Sequence, residues 1–313
     1  MTERDAILIV GPTAGGKTAL SIHLANALPG GGVCLCADSM QVYRGMDIGT
    51  AKPTAAEQAA APHELLDLAD PREDGFSVAV WLEQLEARLA VHRAAGQWPV
   101  IVGGTNLYIQ TLLEGLFDGP PPAPEVRAEL AALDRPALRT RLETVDPESA
   151  ARIHPNDIKR TIRAIEVFET TGTPLSAQQQ EWHRGTIRED VIIIGLDWPV
   201  EAINRRINAR VRAMMEEGLL DEVRQLHDAG ALGPQAAEAL GYKQLLDHLD
   251  GRMSLDDAVE QIKIRTRRFA KQQRTWLRRF RTHPRSHWIA AAERDSASIA
   301  TEAVEAITRL AAR

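Results

Sequence analysis

A chain of 313 residues is long enough for one large α/β core, alone or with a smaller partner domain. Apolar residues at 44% and charged residues at 26% lie in the range of ordinary globular proteins. No apolar run approaches the length of a membrane crossing, and residues 6–10 are too short for a signal-peptide core, so a cytoplasmic location is expected. The net charge of −6 argues against a generic nucleic-acid coat, yet residues 263–285 hold ten Lys or Arg and no acidic residue. A confined basic tract in an acidic chain suits a site that holds one polyanion in one place.

In chain order, residues 6–10 read as a buried strand and residues 11–18 as a loop opening a helix with Leu20, Leu24 and Leu28 on one face. Gly30 to Gly32 end that helix, and residues 33–37 restart a strand, giving a βαβ unit. Cys34 and Cys36 lie in this second strand, without a second Cys or His pair at zinc-like spacing, and read as packed, reduced thiols. Val80, Leu82, Leu85 and Leu89 recur at helical spacing, and residues 99–102 form another strand. From residue 118 to about 190 a proline-rich opening and helical patterns replace the strands, which resume at residues 191–196. Two long helices follow: one carries Ile203, Ile207, Val211 and Met214; the other starts at Ser254, with Asp257 three residues on, and meets no proline before Pro284. The expected fold is therefore α/β: a P-loop-containing parallel sheet flanked by helices, from residues 1–117 and 191–313 with long C-terminal helices. Residues 118–190 would form a helical insertion domain.

Gly11, Pro12, Thr13, Ala14, Gly15, Gly16, Lys17 and Thr18 match G-x-x-x-x-G-K-[ST], with a strand before and a helix after. Such a loop turns its backbone N–H groups around phosphate oxygens; Lys17 would neutralise the outer phosphate, and the Thr18 hydroxyl would ligate Mg²⁺. The pattern specifies a diphosphate or triphosphate and leaves the reaction open. Asp38 follows the second strand and would emerge at the carboxyl edge of the sheet, as a metal ligand, a base or a turn aspartate.

The stretch from Asp38 to Pro53, DSMQVYRGMDIGTAKP, resembles the DS-x-QVY-RG-DIGTAKP segment of the tRNA dimethylallyltransferases. Further similar segments follow in order: Gly75-Phe76-Ser77-Val78-Ala79, Val102-Gly103-Gly104-Thr105-Asn106-Leu107-Tyr108, His154-Pro155-Asn156-Asp157, Gly241-Tyr242-Lys243-Gln244 and KQQRTWLR at residues 271–278. The resemblance spans roughly residues 6 to 280 and is to the bacterial type, lacking a C-terminal Cys/His module. It implies transfer of a dimethylallyl group from dimethylallyl diphosphate to the exocyclic amine of the adenosine 3′ of the anticodon, with Mg²⁺ as cofactor. Residues 11–18 and Arg210 would then hold the diphosphate, and Asp38 would take the amine's proton, with Thr105 beside the target adenosine or the diphosphate. Gly15 and His63-Glu64 depart from the family pattern, which usually has serine and paired histidines there.

The partner implied is the anticodon stem-loop of tRNA, bound by a monomer. The resemblance assigns it to Asp38, Ser39, Met40, Gln41, Thr105 and Arg127, and to Lys159, Arg160, Thr161, Ile162 and Arg163. It further assigns Gly241, Tyr242 and Lys243, and Lys271, Gln272, Gln273, Arg274, Thr275, Trp276, Leu277 and Arg278. The residues themselves add a basic cluster beside the apolar stripe Ile158, Ile162 and Ile165, and a stripe of Lys263, Arg267, Lys271, Arg274 and Arg278. Three other readings remain at this point: a small-molecule kinase using the loop with ATP, a prenyltransferase on free adenine nucleotides, and a non-catalytic RNA-binding module.

Overall fold

The computed structural model describes residues 4–73, 76–116, 119–182 and 187–312. Gly75 of the Gly75-to-Ala79 segment and the expected domain boundary at 117/118 lie outside them. The chain forms two compact units, one of residues 1–110 and 189–313 and a second of residues 111–188.

The first unit is built on six parallel strands: β1 (Ala6–Val10), β2 (Gly32–Ala37), β3 (His63–Glu64), β4 (Trp98–Gly103), β5 (Val191–Asp197) and β6 (Ser286–Ala290). Their order across the sheet is β3-β2-β4-β1-β5-β6. Every residue of β1 and β2 is buried, as are the first six of β5, which is why these strands are legible as continuous apolar runs: helices cover both faces. The edge strands β3 and β6 have no such run, because β3 has two half-buried residues and β6 reads Ser-His-Trp-Ile-Ala with only Ile289 buried. Sequence patterning missed both.

Helices α1 (Lys17–Ala27), α2 (Ala55–Ala60), α3 (Val78–Ala94) and α4 (Asn106–Glu114) follow the first strands. The buried face of α3 is Trp81, Leu85, Leu89 and His92, and Val80, expected in the core, is 39% exposed. Trp81 fixes that rotation: its indole N–H donates to the Cys36 carbonyl at 2.8 Å and its ring stacks on Tyr108 at 4.4 Å. The second unit contains α5 (Pro124–Ala131), α6 (Arg135–Val145), α7 (Pro147–Arg152), α8 (Ile158–Thr171) and α9 (Leu175–Trp182). Its core is formed by Leu130, Leu138, Leu142, Ala164, Ile165 and Val167.

The remaining helices return to the first unit as α10 (Val200–Glu216), α11 (Leu219–Asp228), α12 (Tyr242–Leu249), α13 (Leu255–Leu277) and α14 (Ser296–Ala311). Ser254 caps α13, accepting from the Asp257 N–H at 3.1 Å. The helix stops at Leu277, and Arg278 begins a 3₁₀ turn through Thr282. The strand order places the carboxyl ends of β1, β2 and β4 side by side around one crevice, the usual ligand position in an open α/β sheet.

Candidate active site

That crevice is a cleft of about 1030 Å³ lined by the loop after β1, Asp38 after β2, Gly103 and Gly104 at the end of β4, and Arg206 and Arg210 from α10. Lys17, the first residue of α1, donates from Nζ to the carbonyls of Gly11 and Pro12, both at 3.1 Å. Burial and the nearby Arg210 guanidinium pull the Lys17 ammonium down to about 8, against the opposing pull of Asp38. Burial likewise lowers Arg210 from its ordinary value, with Asp38 again acting in the opposite sense. Lys17, Arg210 and Asp38 thus sense one another across the cleft, and Glu57 and Glu217 also act on Arg210.

Three side chains brace the loop. The Trp198 indole N–H donates to the Gly15 carbonyl at 3.1 Å, and Arg206 Nε donates to the Ala14 carbonyl at 2.7 Å while its guanidinium stacks 4.7 Å from the Trp198 ring. Gln273 on α13 accepts from the Thr13 N–H at 2.8 Å. Ala14 has φ +60°, a left-handed conformation that costs energy for a residue with a Cβ, and the Arg206 contact on its own carbonyl holds it. At position 15 a Cβ would lie 2.7 Å from the Pro12 carbonyl oxygen of the loop itself and 3.3 Å from Trp198 Nε1, so the turn and the brace both favour glycine. None of these braces was found in the sequence, because Trp198, Arg206 and Gln273 lie 183 or more residues from the backbone atoms they hold.

Asp38 folds back through an Asx turn, Oδ1 accepting from the Met40 N–H at 2.9 Å. Thr105 joins this turn to the end of β4: its Oγ1 accepts from the Ser39 N–H at 3.0 Å and donates to Ser39 Oγ at 3.3 Å. Beyond it the loop is laced to itself. Gln41 Nε2 donates to the carbonyls of Thr50 and Ala51. Lys52, 8% exposed, donates to the Tyr43 carbonyl at 2.8 Å and to Asp47 and Asp67 at 2.6 Å each. From α11 the Glu222 carboxylate accepts the N–H groups of Asp47, Ile48 and Gly49 and the Tyr242 hydroxyl.

Residues 41–280 match the family model for IPP transferase, and relatives agree over most of the chain. The tRNA dimethylallyltransferase of Syntrophobacter fumaroxidans is 46% identical over 293 residues, which is 92% of this chain and 84% of that one. The chain belongs to the IPP transferase family. The tRNA dimethylallyltransferase of Geobacillus thermodenitrificans is 47% identical over 89% of this chain and 88% of its own. The crystal structure of full-length tRNA isopentenylpyrophosphate transferase from Bacillus halodurans aligns at TM-score 0.70 with 37% identity, covering 99% of both chains. A eukaryotic dimethylallyltransferase acting on tRNA aligns at TM-score 0.77 with 30% identity over 93% of this chain and 74% of that one.

Within this IPP transferase the cleft gathers Lys17, Thr18, Asp38, Gln41 and Arg210. Elsewhere, four residues that the resemblance assigns to RNA are buried: Thr161 is 2% exposed, Tyr242 0%, Gln273 1% and Leu277 3%. Each sits on the inward face of its helix, so its side chain supports the surface instead of forming it. Arg127 is exposed and Arg163 half-buried, and both bind the buried Glu166 carboxylate, Arg127 through Nε at 2.7 Å and Nη2 at 3.1 Å, Arg163 through Nη1 at 2.7 Å. Burial pushes the Glu166 carboxyl up, and the hydrogen bonds from Arg127 and Arg163 outweigh it, leaving it below the usual range. Lys159 and Arg160 are exposed, Ile162 is half-buried, Gly241 precedes α12 with φ +99°, and Lys243 pairs with Glu238 at 2.5 Å.

The basic tract is also less uniform than its sequence. Lys263 and Arg267 pair with Glu260 at 3.3 and 3.5 Å, Arg281 pairs with Asp197, and Arg285 pairs with Asp5. Among the described residues, Arg265, Arg268, Lys271, Arg274 and Arg278 have no carboxylate within 4.0 Å. Lys271, Gln272, Thr275 and Arg278 are exposed and Arg274 is half-buried. Trp276 is half-buried, edge-on to Phe280 at 5.0 Å with the Arg279 guanidinium 5.3 Å from its ring. Phe269 on α13 is 38% exposed.

Proposed function

We propose that this chain transfers a dimethylallyl group from dimethylallyl diphosphate to the exocyclic amine of the adenosine 3′ of the anticodon in tRNA, acting as a monomer. The single observation that carries the residue assignment is the convergence of Lys17, Arg210 and Asp38 on one cleft whose floor is the glycine loop. Transfer of the dimethylallyl group to tRNA follows the activity named for relatives that match 89% to 99% of this chain. A small-molecule kinase and a transferase for free nucleotides leave the unpaired cations of α13 without a role.

The amine nitrogen attacks the allylic carbon as the bond from that carbon to the diphosphate oxygen breaks. The electron pair leaves with the diphosphate, and the amine's proton passes to Asp38. Because the allylic carbon leaves with cation character, the growing charge lies on the leaving group; the loop N–H groups, Lys17 and Arg210 face it. Thr105 holds the Asp38–Ser39 turn against the end of β4 and so sets where the base stands. Among the described residues no group of three His, Cys, Asp or Glu forms a protein-only metal cage. The donor set in the cleft, the Thr18 hydroxyl with the diphosphate's own oxygens, fits a hard ion such as Mg²⁺ that keeps water and substrate phosphates as ligands. Bound there, Mg²⁺ would neutralise diphosphate charge.

The exposed Arg127, Lys159, Arg160, Lys271 and Arg278, with the half-buried Arg163 and Arg274, would hold the RNA backbone, and the target base would leave the loop stack to reach Asp38. Incubation of unmodified tRNA with the protein, Mg²⁺ and dimethylallyl diphosphate, followed by mass spectrometry of the nucleosides, tests the reading. One dimethylallyl group should appear on the adenosine 3′ of the anticodon; label on free AMP but not on tRNA would refute the choice of acceptor.

A further inference from the structure

Gln273 is a neutral amide on the most cationic helix of the chain, and it is 1% exposed. Both ends of its side chain are engaged across long sequence separations. Oε1 accepts from the Thr13 N–H at 2.8 Å, and Nε2 donates to the Gly104 carbonyl at 2.9 Å. The two contacts lie on the two walls of the cleft: Thr13 belongs to the loop that carries Lys17, and Gly104 immediately precedes Thr105, whose hydroxyl holds the Asp38–Ser39 turn. The fit on the Gly104 side is close, since a Cβ at Gly104 would lie 2.4 Å from Gln273 Nε2 and 3.7 Å from Lys17 Nζ. One position earlier, a Cβ at Gly103 would lie 2.1 Å from the Ala37 carbonyl oxygen, so this turn is itself pressed against the end of β2. Neither wall can drift without breaking a hydrogen bond to the buried Gln273 side chain, that to Gly104 buried and that to Thr13 partly so, and leaving a buried polar group unpaired costs about 1–3 kcal/mol.

The same helical turn carries the surface assigned to RNA. Lys271 and Gln272 are exposed and Arg274 is half-buried, all within two residues of Gln273 on a continuous helix of 23 residues. A load applied to the outer face of α13 therefore reaches the Thr13 and Gly104 backbones through one rigid side chain.

We propose that Gln273 is a positioning residue that couples RNA docking on α13 to the grip of the glycine loop on diphosphate. It does so by fixing the loop and the Gly104–Thr105 turn to the helix that the RNA touches. This rests on the proposed function only in taking diphosphate and RNA as the two ligands. Binding of either ligand selects the same placement of α13, so each tightens the other, and the coupling is reciprocal by linkage.

The test measures the affinity of inorganic diphosphate, with Mg²⁺, by calorimetry with and without a saturating unmodified anticodon stem-loop RNA. In the wild-type chain the RNA should tighten diphosphate at least about fivefold. Gln273→Met keeps the side-chain length and volume but removes both hydrogen bonds; whatever its binary affinities, the ratio of diphosphate affinities with and without RNA should fall below about twofold. Arg274→Ala should weaken the RNA itself yet retain the full effect once RNA is saturating. Gln273→Glu, which keeps the acceptor for Thr13 and loses the donor to Gly104, should hold an intermediate value. A merely structural role predicts lower melting temperature with the coupling ratio unchanged in Gln273→Met, and that outcome overturns the proposal. So does a wild-type chain that binds and modifies the stem-loop with one diphosphate affinity in both conditions. Wild-type protein that shows coupling but no transfer would instead overturn the proposed function and leave the role of Gln273 standing.

Discussion

The two segments most recognisable in the sequence, residues 11–18 and residues 38–53, use their side chains in opposite ways. In the first, the backbone shapes the cleft and Lys17 and Thr18 line it, while the holding is done by Trp198, Arg206 and Gln273 from elsewhere. In the second, Gln41, Thr50 and Lys52 are engaged in bonds that fold the segment onto itself, and Glu222 ties it to α11. Within this segment Asp38 is the ionisable side chain that both lines the cleft and stands beside Lys17 and Arg210. A long motif is thus a short chemical statement carried on a long architectural one, and substitutions within it should divide accordingly.

The largest effect expected is at the chemical end. Asp38→Asn preserves the Oδ1 acceptor for the Met40 N–H, so stability should stay within about 1 kcal/mol while turnover falls by about 10²- to 10⁴-fold. Single-turnover transfer to tRNA and a melting curve measure the two sides, and undiminished turnover would remove Asp38 as the base. At the architectural end, Lys52→Met strips a buried ammonium from Asp47 and Asp67. Breaking a fully buried pair costs about 3–5 kcal/mol; here the carboxylates are 60% and 47% exposed and can turn to water, so about 2 kcal/mol is expected as a shift in the urea midpoint. Diphosphate affinity of the folded variant should change little. A variant of unchanged stability that no longer binds donor would put Lys52 in the chemistry and erase the division.

The same division sets what was legible beforehand. β1, β2, β4 and β5 were readable because burial on both faces leaves an uninterrupted apolar run, whereas β3 and β6 satisfy only one neighbour each and show no run. Gly11 to Thr18 and Asp38 were readable because their chemistry is local in sequence. The supports of the cleft were not: Gln273 carries no signal that separates a buried strap from an RNA contact until Thr13 and Gly104 are seen on either side of it. The basic tract shows the same limit, since Glu260 and Asp197 pair with three of its cations from outside the segment. Composition counted charges and had no means of counting partners.

The smallest effect expected distinguishes the role of Lys17 from that of the backbone around it. Burial and Arg210 hold the free ammonium at about 8, and a bound diphosphate restores a favourable partner, so the pKa rises on binding. Between those two values binding takes up a proton. The dissociation constant for dimethylallyl diphosphate should therefore be flat below pH 8 and rise about tenfold per pH unit above it, about 1.4 kcal/mol for each unit. For the free chain the sign is reversed: the unfolded lysine titrates near 10.5, so between pH 8 and 10.5 the unfolded state holds more protons and the contribution of Lys17 to stability increases with pH. Lys17→Met should remove both slopes together and leave weak, pH-independent binding through the loop N–H groups. An alkaline slope in affinity that persists in Lys17→Met would assign the proton to another group and make the backbone cradle the main source of grip.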